Sequence, residues 1–312
     1  MHGIKLLVAA VALCSPLLAM AADPQSCDTV RLSNVGWTDI SVTTASAAAV
    51  LEALGYKTNT TLLAASVTLK SMQDNKIDAF FGNWMPSNVD IITPYLKDGS
   101  IHVVRVNLEG AKYTLAVPEY VYDAGVHSFA DIAKYKDKFH GEIYGIQPGG
   151  GGNKLIQSMI DGDKFGLGKF KLVQSSEAGM LSQVSRAVGR KDWIVFLGWE
   201  PHPMNAHYKM KYLEGGDEFF GPNYGGATVE TLERKDYSAT CPNIGKFLSN
   251  LEFSLPMENE MMDKVLTDKK SPDVAAREWI KAHPEVLDKW LADVTTVDGA
   301  PGAAAAKKVL AQ

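Results

Sequence analysis

The sequence has no surplus of positive charge, few cysteines, and no long apolar run beyond its amino terminus. Lysine and arginine total 31 against 36 aspartates and glutamates. Nucleic acid selects a basic surface, so it is not an expected partner. No stretch after the amino terminus is long and apolar enough to cross a membrane as a helix. The Gly-x-Ser-x-Gly elbow is missing, and so are a reactive cysteine and an obvious nucleophile–base pair. Glu200, His202 and His207 form an open cluster, but a metal site wants more ligands at tighter spacing. No catalytic residue, metal ligand or cofactor is therefore expected. No internal repeat recurs at a fixed period.

The amino terminus reads as an export signal. Met1 to Lys5 is a short basic start, Leu6 to Leu18 is mostly apolar, and Ala19-Met20-Ala21 has the small-x-small form of a cleavage site. Cleavage after Ala21 would send the chain to the periplasm. It would remove Lys5, leaving 30 basic against 36 acidic residues, and Cys14, leaving Cys27 and Cys241. Two cysteines in an exported chain most simply make one disulfide, and two separate buried thiols are the alternative. Closing so long a loop is worth roughly 4–5 kcal/mol in the chain-entropy account.

About 290 residues then remain, more than one domain usually holds. Strand-like runs at 30–35, 56–63, 77–81 and 101–106 alternate with helical stretches at 40–54 and 67–75. A second alternating block follows from Tyr113, with Ser128 and Asp131 at capping-box spacing and strands at 142–146, 171–174 and 193–197. Helices return after Cys241. This order implies an α/β protein with mostly parallel sheets. Two lobes are expected, lobe one from 24–109 plus 204–298 and lobe two from 110–203, with 299–312 a loose tail or frayed helix.

Four aromatic residues stand apart from the apolar runs. Trp37 follows Asn34-Val35-Gly36, Trp84 follows Gly82-Asn83, Tyr113 follows Gly110-Ala111-Lys112, and Trp199 follows Gly198. Each of the three tryptophans comes just after a strand-like run, where open α/β sheets bind ligands. By contrast Trp193, Trp279 and Trp290 sit among apolar residues and read as core. A quaternary ammonium has no N–H to donate, so π-faces and bulk electrostatics are what can hold it. Asp39 could offset its charge, or cap the helix that follows, or do both. Gly149 to Gly152 with Asn153 lead into a helix. Their backbone N–H groups could cradle a ligand carboxylate or hydroxyl, or the run could be a turn.

The segments Asn34-Val35-Gly36-Trp37-Thr38-Asp39, Phe81-Gly82-Asn83-Trp84-Met85-Pro86, Tyr113 to Pro118 and Leu197 to His202 resemble the periplasmic substrate-binding proteins of ABC importers for choline, glycine betaine and carnitine. The likeness spans the mature chain and is nearest the choline-binding branch. It implies a two-lobed clamp of the type II Venus-flytrap kind with its ligand in the interlobe cleft. It further implies an aromatic box of Trp37, Trp84, Tyr113 and Trp199 assisted by Asp39, a Cys27–Cys241 disulfide, and a membrane permease as partner of a monomeric capture protein. Choline binders of this family carry Asn and Asp side chains in the loop that here reads Gly149 to Gly152. Their absence suggests a wider, less negative pocket, with Gly150, Gly151 and Asn153 facing a ligand carboxylate. The expected order is carnitine, then choline, then glycine betaine. The rival readings are an exported enzyme acting on a methylated amine and a sensory binding module.

Overall fold

The computed structural model describes residues 23–311. The export-signal reading and its cleavage site fall outside the described residues. Nine strands form one mixed, curled sheet: β1 (Thr29–Asn34), β2 (Lys57–Leu62), β3 (Ala79–Met85), β4 (Ile101–Pro118), β5 (Glu142–Tyr144), β6 (Lys171–Val173), β7 (Phe196–Glu200), β8 (Met210–Tyr212) and β9 (Gly226–Arg234). Their order is β2-β1-β3-β9-β4-β7-β5-β6, with β8 also beside β4. Parallel ladders lie at both ends, β2-β1-β3 and β7-β5-β6. Antiparallel pairings of β9 and β4 hold the centre. The α/β alternation thus builds two parallel halves, each with crossover helices, as expected.

The two halves are joined by β4, whose 18 residues form one strand where the pattern suggests two. Its first part pairs with β9, and its last part pairs with β7 and β8. The register shifts between Leu108 and Ala111, where Gly110 has φ +75°. A residue with a side chain rarely adopts that conformation, so the glycine allows a bulge that bends the strand without ending it.

Two segments lie differently from the expected lobes. Residues 210–212 pair with β4 at Ala116 to Pro118, and Phe220 packs edge-on to Tyr113 and Phe129. The stretch from about 204 to 225 therefore packs with the second half of the chain, and the return to the first half comes at β9. The carboxyl end is also more than a loose tail. Gly302–Leu310 is a helix with Ala306 and Leu310 buried, packed on the helix Thr38–Ala53. Their i, i+4 spacing puts both on one face, so the alanines are a close-packing surface rather than low-complexity chain.

The long helix Thr38–Ala53 is Ala- and Thr-rich and buried along most of its length. It packs against helices Leu255–Leu266 and Pro272–Ala282 as well as the terminal helix. Small residues suit it to that crowded position, since each allows close approach of a neighbouring helix. Ser128 and Asp131 form the anticipated capping box. Trp279 and Trp290 are buried, whereas Trp193 is half-buried between Tyr135 and Phe139 with Lys138 over its ring.

Cys27 and Cys241 are bonded, with both residues buried and 214 positions apart in sequence. The bridge fastens the turn before β1 to the start of the helix Pro242–Asn250. Replacing both cysteines by alanine should lower the thermal midpoint by roughly 10 °C, because a closure of this length constrains the unfolded chain. Scanning calorimetry of both forms measures it, and an unchanged midpoint would show that the bridge adds nothing.

Candidate functional site

Three of the four singled-out aromatic residues leave strand ends. Gly36, with φ +79°, turns the chain after β1 and sets Trp37 immediately before the helix Thr38–Ala53. Trp84 lies at the end of β3. Trp199 lies on β7 directly opposite Tyr113 on β4. Opposed residues of an antiparallel pair project to the same face, so these two rings form one wall, their centroids 6.3 Å apart. Trp84 meets Tyr113 at 5.8 Å. Edge-on and tilted contacts of this kind hold the rings at fixed angles.

A small cavity is bounded by Trp37, Asp39, Trp84, Tyr113 and Trp199 together with Ser87, Asn88, Ile146, Gly151 and Gly152. All four aromatic residues and Asp39 converge there. None of the lining residues is Lys, Arg or His. The wall contributed by Ser87, Asn88 and Ile146 was not singled out from sequence. Ser87 and Asn88 follow the Trp84-Met85-Pro86 segment directly, which was the available signal. Ile146 lies two residues beyond β5 and carried none.

Asp39 lies one residue inside the helix, which Trp37 opens as the N-cap residue. It is therefore not the cap. Its side chain is buried, and Oδ2 accepts a hydrogen bond from the Trp84 indole at 3.0 Å. Oδ1 has no partner of good geometry, and neither does the Trp37 indole N–H. Burial pushes the Asp39 carboxyl up to about 7, and the nearby Glu177 carboxylate adds to the rise. The first-turn amides and the Trp84 indole pull the other way. Glu258, buried behind it, is also held well above the usual carboxylate range, first by burial and then by Asp39.

The glycine loop differs from expectation in two ways. A Cβ at Gly151 would lie 2.0 Å from the Ser87 carbonyl oxygen, and one at Gly152 would lie 2.1 Å from the Tyr113 hydroxyl. The rest of the molecule has closed onto the loop, so the missing side chains leave no extra room. Gly150 stands beside the lining, where a Cβ would touch Trp37 at 3.7 Å. Asn153 is not in the lining. Its Oδ1 accepts the Ile146 N–H, and its Nδ2 donates to the Ile146 and Gln147 carbonyls and to Gln174. It staples the loop to the helix that follows.

Among the described residues, no three His, Cys, Asp or Glu side chains are placed to hold a metal ion. His202 packs edge-on against Trp199 and reaches the Glu177 carboxylate. No helix of the described residues is long and apolar enough to cross a membrane.

An α/β fold closed over a small aromatic cavity with one buried acid defines a two-lobed ligand-binding protein. The chain belongs to the family of substrate-binding domains of ABC-type glycine betaine transport systems, whose model matches residues 28–282. These are transport binding proteins, not enzymes. An ABC-transporter choline-binding protein in complex with choline is 53% identical, covering 92% of this chain and 100% of that one, with a TM-score of 0.91. The structure described as that class of protein in an unliganded semi-closed conformation, also 53% identical over the same shares, scores 0.85. The arrangement seen here is thus nearer the ligand-bound form. The glycine betaine/carnitine transport binding protein of Listeria monocytogenes is 31% identical over 157 residues, half of this chain and 51% of its own length.

The raised Asp39 carboxyl carries a stability consequence. Its folded value of about 7 lies above the ordinary 3.8, so the folded state holds the proton more tightly between those values. The cost of ionising it is absent below about pH 4 and grows to ~4 kcal/mol as pH rises past 7. Asp39→Asn should therefore raise the melting temperature of the ligand-free protein at pH 8 and leave it nearly unchanged at pH 4. A variant no more stable at pH 8 than the parent would show that the carboxylate is not strained.

Proposed function

We propose that the chain is the capture protein of an ABC importer for a quaternary ammonium compound, with choline as the preferred ligand. One observation carries this: four aromatic rings and one buried, half-partnered carboxylate bound the same small cavity. Each ring face over a cation contributes about 0.5–2 kcal/mol, more in a dry site. Four together reach the range of micromolar binding after ordering costs. Asp39 Oδ1 then faces the ligand's positive charge.

Choline stands ahead of carnitine and glycine betaine on two grounds. The lining offers no cationic side chain to a carboxylate, which would lie near Asp39 instead. The tight contacts at Gly151 and Gly152 remove the argument for a longer ligand. Ser87, Asn88 and the Tyr113 hydroxyl are among the polar groups of the lining that a ligand hydroxyl could meet. The similarity to the choline-bound protein agrees with this order.

In this reading lobe one comprises residues from 24–109 and from β9 onward, and lobe two the segment between. The chain is exported, its signal removed after Ala21, and acts as a monomer. The lobes close on the ligand by a population shift, and the closed form delivers it to the transmembrane permease.

Titration calorimetry with all three ligands tests the order. Choline should bind tightest, and its affinity should fall as pH drops below about 7, where cation binding must displace the proton on Asp39. Carnitine or glycine betaine binding tenfold more tightly than choline would overturn the order. Trp84→Leu, which keeps bulk but removes a π-face, should weaken choline binding at least tenfold with the fold intact by circular dichroism. Unchanged affinity would remove the aromatic box.

A further inference from the structure

The helix Thr38–Ala53 begins at the cavity, yet Trp37 in the N-cap position provides no side-chain acceptor for its first amides. Trp, unlike Ser or Asp, has no oxygen to offer there. The missing acceptor comes from far along the chain. The Thr38 N–H donates to Glu177 Oε2 at 2.9 Å, and the Thr38 hydroxyl donates to Oε1. Glu177 is itself the first residue of the helix Glu177–Arg190 in the second half of the molecule. One carboxylate therefore sits between two helix amino termini, each of which favours negative charge.

The same carboxylate has a third partner. His202 Nδ1 accepts the Met204 N–H at 2.9 Å, which leaves the ring proton on Nε2, 3.2 Å from Glu177 Oε1. His202 also stands edge-on against Trp199, with centroids 4.9 Å apart. Thr38, Glu177 and His202 are all buried, and none of them lines the cavity. A second link crosses nearby, where the Gln147 side chain donates to the Val35 carbonyl at 3.0 Å.

We infer that Glu177 is the latch of the clamp: it caps the Thr38–Ala53 helix across the cleft and holds the closed state without touching the ligand. Opening the cleft breaks both Thr38 bonds and leaves a helix terminus without its acceptor. Those bonds therefore exist only when the lobes are together, which is the condition for a group to act on closure. His202 is the positioning residue behind it. It fixes the Glu177 carboxylate from one side and supports the Trp199 wall from the other, so the latch and the box share one support. The effect on ligand release rests on the choline reading above; the capping contact itself does not.

Two measurements separate these. Amide exchange at Thr38 in ligand-free protein held closed by an engineered disulfide between the lobes reads the cap alone, and Glu177→Ala should speed it at least tenfold. Unchanged exchange would overturn the latch whatever the ligand is. Stopped-flow tryptophan fluorescence with choline reads the consequence. Glu177→Gln should raise the dissociation rate at least tenfold while the association rate changes less than threefold. Thr38→Val, a milder change that keeps the backbone bond, should raise dissociation less, and the double variant should release choline less fast than the two single effects combined predict, since both act on the same pair. Dissociation at the parental rate in Glu177→Gln, or independent additive losses in the double variant, would overturn the proposal. Absence of choline binding by the parent protein would defeat the ligand reading and leave the exchange test standing.

Discussion

Everything in this molecule turns on a carboxylate held away from water with one oxygen unpartnered. An isolated buried charge is among the least favourable things a protein can contain. Asp39 relieves it partly through the Trp84 indole and partly by holding a proton more tightly than an ordinary acid. Neither remedy completes the site. A cation brought into the cavity would supply the missing partner, so its binding is strengthened by a strain the empty protein already carries. The aromatic rings make the same space low in dielectric, which raises the value of each electrostatic contact there.

The scaffold around that group is organised to bring distant pieces together. Trp37 follows β1 and Trp84 ends β3 of the first parallel ladder, Trp199 comes from β7 of the second, and Tyr113 from the strand that joins them. β4 runs through both halves and bends at Gly110, so the Tyr113–Trp199 wall belongs to one half and Trp37 and Trp84 to the other. The contacts that cross between the halves include Gly151 against Ser87 and Glu177 against Thr38. Each half would thus keep its own pair of rings when such contacts part. This division lets a clamp move without losing its recognition surface.

The α/β alternation and the box residues were legible because each rests on local pattern. A strand-like run ending in a polar or glycine-flanked tryptophan is visible without knowing what lies opposite. What was illegible depends on distant pairing. The continuity of β4 relies on a bulge at Gly110 and on β9, more than a hundred positions later. The allegiance of residues 204–225 is set by β8 meeting β4 and by Phe220 meeting Phe129. Asn153 looked like a ligand group because an amide beside a glycine run is ambiguous; only its four hydrogen bonds show that it holds the loop. The glycine run was misjudged for a related reason. A missing side chain makes space only if the neighbours stay where they were, and here Ser87 and Tyr113 occupy it.

The same chemistry explains why the cavity should prefer a methylated cation to a primary amine. An ammonium group brings three N–H donors that leave strong hydrogen bonds to water behind. The cavity offers them one free carboxylate oxygen and few other acceptors, so most of the lost hydration would go unreplaced. A quaternary nitrogen gives up no such bonds. Its methyl groups spread the charge over a surface that indole and phenol faces can cover, and a single carboxylate then suffices for the long-range attraction. Selection against the smaller cation thus comes from what the site withholds, in the way that unsatisfied donors exclude a wrong ligand elsewhere. Adding hydrogen-bond acceptors to the cavity would therefore widen the range of amines accepted before it strengthened the hold on any of them.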